Sequence, residues 1–128
     1  MEVPASPAVK LPPRFQRPGA LTVAVQEFTS TAVVRAGGDV DLASVHELAA
    51  ALDRVELGSI TLLVVDLDEV GFLDLAGLNA ILKLNEECKG NDVHLSVIAP
   101  RGAGKRVFAL TRADLEIDLV DAGVHADR

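Results

Sequence analysis

Hydrophobic positions along this chain change period several times, and each change marks an element. Leu21, Val23 and Val25 alternate with Thr22, Ala24 and Gln26, the period-two signature of a strand with one buried face. After a polar Thr29-Ser30 turn, Thr31 to Arg35 is again rich in β-branched residues, so the two segments predict a β-hairpin. From Ala43 to Val55 the period lengthens: Val45, Leu48, Leu52 and Val55 recur at helical spacing, Asp41 to Ser44 supply candidate N-caps, and Gly58 supplies a stop. Ile60 to Leu67 is an unbroken apolar run of strand length, which predicts a central strand buried on both faces. Leu75, Leu78, Ile81, Leu82 and Leu84 form the stripe of a second helix that starts after Asp74 and ends near Gly90. Val93 to Ala99 reads as another strand, Pro100 to Arg112 holds a third helix, and Ile117 to Val120 is a short last strand. The order ββαβαβα, with that strand at its end, predicts an α/β fold: a mixed sheet of four to five strands with helices packed on it, its parallel strands joined by right-handed crossovers.

The first 20 residues break the pattern. They hold five of the six prolines and show no apolar periodicity, which predicts a Pro-rich, solvated arm at 1–20 before a single domain at 21–128. A chain of 128 residues that is 49% hydrophobic can bury one core without disulfides or a structural metal. The lone Cys88 cannot form an internal bridge, and its helical setting predicts inert packing in a reducing cytoplasm. No apolar run approaches the ~20 residues of a membrane span, and no apolar stretch near the N-terminus precedes a cleavage site; the expectation is a cytoplasmic protein. Charge narrows the partners. Three of the 12 bases and one of the 19 acids lie in the arm, so the arm carries +2 and the remainder −9. An acidic domain with no Trp or Tyr matches neither a phosphate backbone nor an aromatic-lined cofactor pocket, and points to a protein that binds protein, without direct nucleic-acid contact.

Candidate chemistry collects where strands hand over to helices: Asp39 and Asp41 before the first helix, and Asp66, Asp68, Glu69 and Asp74 before the second. In open α/β sheets functional sites lie beyond the carboxyl ends of parallel strands. The string LLVVDLDEV has the Asp-x-Asp form of haloacid dehalogenase-type phosphotransferases, which would make Asp66 and Asp68 a Mg²⁺-dependent pair. That family opens with this strand, whereas here 65 residues precede Asp66. A response-regulator receiver needs an acidic pair at the end of its first strand, and LTVAVQEF offers only Glu27. The plainer reading is that these carboxylates cap helices, as Asp74 would for the second helix, and keep loops soluble. His46, His94 and His125 have no metal-ligand spacing, and the Gly residues of RAGGDVD and RGAGKR complete no phosphate-binding motif. Arg101, Lys105, Arg106 and Arg112 place four bases around the third helix, as a solvated face or as a contact for an acidic partner.

GGDVD (37–41), LLVVDLDEV and VGFLDLAGLNAIL (70–82) together resemble the STAS domain of bacterial anti-sigma factor antagonists, and LTRADLEIDLV resembles that family's C-terminal segment. The resemblance spans Leu21 to Val120. It implies a small mixed sheet with packed helices, no enzymatic activity and no cofactor or metal. The implied partner is a cytoplasmic anti-sigma factor, often a GHKL-type serine kinase, whose capture frees a sigma factor; the alternatives are a STAS scaffold or sensor outside a sigma pathway, and a homodimer. By the same resemblance, Asp39, Asp41, Asp74, Leu75, Ala76 and Gly77 form the partner-binding surface. The family's phosphoacceptor Ser or Thr falls on Ala76, with Leu75 beside it. Neither has a hydroxyl, so the usual phosphorylation switch is missing, and binding is either constitutive or controlled elsewhere.

Overall fold

The computed structural model describes residues 20–113 and 116–121. Strands β1 (Thr22–Glu27) and β2 (Thr31–Val40) form the antiparallel hairpin, closed where the Phe28 N–H donates to the Thr31 carbonyl at 2.7 Å. Strands β3 (Leu62–Leu73), β4 (His94–Ile98) and β5 (Asp118–Val120) then add in parallel, giving one mixed sheet in the order β1-β2-β3-β4-β5. Three helices intervene: α1 (Val45–Asp53), α2 (Leu75–Gly90) and α3 (Ala103–Leu110). The α/β class, the mixed five-strand sheet and the element order agree with the sequence patterns, and the short last strand forms.

The core lies on one face of the sheet. Val34 sits opposite Val65, and Val65 opposite Val97, so alternate residues of three strands stack into a buried layer. Leu48, Leu52, Leu78, Ile81, Leu84 and Phe108 from the helices pack against that layer in a single cluster. Asn85 is the buried polar side chain among the described residues; its Nδ2 donates to the Glu116 carbonyl at 3.3 Å, tying α2 to the approach to β5.

Two expectations need correction. The central strand is not buried on both faces: Leu63, Val65 and Leu67 are fully buried, whereas Leu62 and Val64 on the opposite face are half-buried and lie outside the core cluster. All the helical core residues join the other face. Nor does β3 stop at Leu67. It continues to Leu73, so Asp66, Asp68 and Glu69 stand inside a strand rather than in the loop before α2. Pairing with β2 carries it on, with Gly37 opposite Glu69 and Val40 opposite Leu73, across register shifts on either side of Gly37 and Gly38. Gly38 takes φ +90°, a conformation that glycine adopts without strain, and so accommodates the irregularity.

Candidate functional site

Strands β2 and β3 end side by side, with Val40 opposite Leu73, and the Asp74 N–H donates to the Val40 carbonyl at 3.1 Å. The loop into α1 and the start of α2 therefore leave the same edge of the sheet as neighbours. All six residues expected to form a surface lie at this end of the sheet, Asp39, Asp41, Asp74, Leu75 and Ala76 with some exposure and Gly77 buried beneath them.

Each is held for a local physical reason. Asp74 is the N-cap of α2: its Oδ1 accepts from the Ala76 N–H at 2.9 Å and the Gly77 N–H at 3.3 Å, pairing two of the amides that a helix start leaves without intrahelical acceptors. Asp41 does the corresponding work in the loop before α1, its Oδ1 accepting from the Ala43 and Ser44 N–H groups at 3.1 Å each. Ser44 closes that loop, its Oγ accepting from the Asp41 N–H at 3.1 Å and donating to the Asp39 carbonyl at 2.9 Å. Both carboxylates thus stay put by engaging one oxygen, which leaves Oδ2 of each outside these bonds. Gly77 brings α2 onto the strands: a Cβ built there would stand 2.6 Å from Leu73 Cδ1 and 2.8 Å from Val40 Cγ1, closer than carbon atoms approach.

The surface is acidic and apolar at once. Among the described residues Asp39, Asp41 and Asp74 make no ion pair. Between and beside them stand Leu42 (79% exposed), Phe72 (47%) and Leu75 (60%), three of the five exposed large apolar side chains among the described residues. Exposed apolar residues grouped with charged neighbours are the composition of an interaction surface rather than of a catalytic pocket. Leu42 and Phe72 were not among the residues singled out from sequence; the signal available was a large apolar residue directly after Asp41 and another two before Asp74.

The other candidates lie elsewhere. Asp66 and Asp68 are strand residues in ion pairs: Arg35 Nε is 3.3 Å from Asp66 Oδ2, while Arg101 donates Nε and Nη2 to the two oxygens of Asp68 at 2.8 and 2.9 Å. The Arg101 fork holds the Asp68 carboxyl below its ordinary pKa of 3.8, and Asp68 in turn raises that of Arg101. A carboxylate locked in this way is a strut rather than a free nucleophile. Of the four bases around α3, Arg101 is engaged with Asp68 and Lys105 Nζ with Asp121 Oδ1 at 2.7 Å. His46 on α1 and His94 on β4 stand apart, His94 pairing with Asp118 at 2.7 Å, and His125 lies outside the described residues. Cys88 is fully buried on α2, where desolvation and then the Glu87 charge push its thiol up to about 11.

Comparison with known proteins agrees with this architecture. The STAS domain family matches residues 22–126. The anti-sigma-F factor antagonist RsfB of Mycobacterium tuberculosis is 34% identical over 97 residues, which cover 76% of this chain and 79% of that protein. A crystal structure of an anti-sigma factor antagonist from Mycobacterium paratuberculosis superposes with a TM-score of 0.73 at 28% identity, covering 83% of this chain and 90% of that one. SpoIIAA in its unphosphorylated form shares the fold at 17% identity, with a TM-score of 0.64 over 84% of this chain and 95% of its own. The sheet order, the carboxylate-capped start of α2 and the family match over residues 22–126 lead to one assignment: this chain belongs to the STAS domain family.

Proposed function

We propose that this chain is an anti-sigma factor antagonist: it binds an anti-sigma factor through the surface at the start of α2 and so frees a sigma factor. The observation that carries the reading is the pairing of that acidic, apolar surface with 34% identity to a protein named an anti-sigma-F factor antagonist. It acts by binding alone, in the cytoplasm, with no catalytic step. No described helix is long and apolar enough to cross a membrane. The partner is an anti-sigma factor of the GHKL-type serine kinase class presenting an apolar patch and an arginine, the complement of Leu42, Phe72 and Leu75 beside Asp39 and Asp41. Because Ala76 occupies the phosphoacceptor position, binding is not switched off by phosphorylation there.

Immobilised protein should capture an anti-sigma factor from extract of its own cell, and Asp41→Arg should weaken that capture by about 1 kcal/mol or more, since it reverses one member of a charge pair. Capture of other complexes and no anti-sigma factor would sink the function; equal affinity of parent and variant would remove Asp41 from the surface.

A further inference from the structure

We propose that the N-terminal arm, residues 1–19, is an intramolecular competitor for the surface at the start of α2, with Arg14-Phe15-Gln16-Arg17 taking the place of the partner. The inference rests on the reading of that surface as the partner site, and it assigns a means of regulation to a chain whose Ala76 has no hydroxyl to phosphorylate.

Three observations support it. The first is the tether. β1 runs antiparallel to β2 with Thr22 opposite Gly37, so the chain before Thr22 departs from the end of the sheet at which β2 passes into the Asp41 loop and β3 into α2. Arg17 is five residues from Thr22, a span of at most about 17 Å in extended chain. Gly37 is itself only four residues from Asp41.

The second is charge. The arm carries Lys10, Arg14 and Arg17 against a single acid, Glu2, while the surface carries Asp39, Asp41 and Asp74 without an ion pair among the described residues. On β3, Arg35 holds Asp66 and Arg101 holds Asp68, whereas Glu69, opposite Gly37, is exposed and makes no ion pair among the described residues. The acidic groups near the point where the arm departs that remain for its arginines are therefore those at the site together with Glu69.

The third is the apolar complement. Phe15 lies between Arg14 and Arg17 in the sequence, and Leu42, Phe72 and Leu75 offer an exposed apolar surface beside the acids. Pro12, Pro13 and Pro18 restrict the backbone on both sides of this segment, which lowers the entropy lost on docking. A tether of this length gives an effective concentration on the order of millimolar, so a weak contact is enough to compete while a tight partner still displaces it.

Paramagnetic relaxation tests the contact in the full chain with no partner present, so its outcome is independent of the capture experiment. A spin label is placed at Ala8→Cys; Cys88, buried and with its thiol pushed up to about 11, stays unlabelled. Amides of residues 41–45 and 74–78 should lose intensity, and they should recover when Arg14→Glu and Arg17→Glu are introduced together or when salt is raised. Broadening unchanged by the double charge reversal would reflect the tether alone and overturn the proposal. So would broadening confined to the opposite sheet face around Val33 and Val64, or broadening that vanishes on dilution with unlabelled protein, which would mark a contact between copies.

Discussion

Gly77 shows how narrowly one residue fixes this surface. Replacing it with Ala raises helix propensity by about 0.8–1 kcal/mol, yet the new methyl would stand 2.6 Å from Leu73 Cδ1, and overpacking of this kind costs about 1–3 kcal/mol. The clash wins, so Gly77→Ala should lower the urea midpoint with little change in m, and a midpoint at or above the parent's would refute the close approach. Gly90, the last residue of α2, has nothing within 4 Å of its built Cβ and takes no left-handed φ. Gly90→Ala should therefore stabilise by up to about 1 kcal/mol in the same assay. Ionisation at Asp68 is equally local. Its lowered pKa means the folded state favours the carboxylate, so its contribution to stability is present above 3.8 and is lost as pH falls through the lowered value. Arg101→Gln removes the first cause of that shift, and carboxyl NMR titration should find Asp68 rising toward 3.8; a value that stays where it was would show that Arg101 is not the cause.

At the scale of elements, the start of α2 is where sequence and structure agree most closely, because a cap is a local device. Asp74, followed by an apolar stripe at helical spacing, announces both the boundary and the hydrogen bonds to Ala76 and Gly77. Strand β3 was legible only in its first half. Past Leu67 it carries Asp68, Glu69 and Gly71, residue types depleted in strands, and what permits them is distant in sequence: β2 pairs with this half from Gly37 to Val40, and Arg101 holds Asp68 across 33 residues. No local pattern contains such pairs. Leu42 and Phe72 were hidden for a different reason, since an exposed apolar residue and a core residue read alike until burial is known. The same helix start frames the question of phosphorylation. Incubated with ATP and a kinase partner, the parent should gain no phosphate at 76, whereas Ala76→Ser, costing at most about 0.5 kcal/mol of propensity, restores an acceptor. Phosphate there would add nearly two negative charges beside the Asp74 carboxylate, which already takes the Ala76 and Gly77 amides, and should release the partner; Ala76→Asp should do so more weakly. Mass spectrometry decides. Stoichiometric phosphate on Ser44, Ser59 or Ser96 of the parent, coupled to loss of partner, would reveal a relocated switch instead.

Across the whole molecule, charge and layering act together. The helices cover one face of the sheet, the proposed partner surface occupies the end where β2 and β3 meet α1 and α2, and the chain carries −7 overall with no ion pair among the described residues to neutralise Asp39, Asp41 or Asp74. A partner that offers an arginine is therefore attracted at long range by the net charge and at short range by these carboxylates. The two effects separate kinetically: long-range steering governs association and is screened by salt, whereas apolar contacts made by the exposed Leu42, Phe72 and Leu75 at the proposed surface would govern dissociation. Association of the captured anti-sigma factor should slow as ionic strength rises, with dissociation changing little, and Leu75→Ala should do the reverse, speeding dissociation at all salt concentrations. Surface plasmon resonance at several ionic strengths measures both. An association rate indifferent to salt would mean that the acidity of this domain serves solubility rather than recognition, and would leave the apolar residues alone to define the interface.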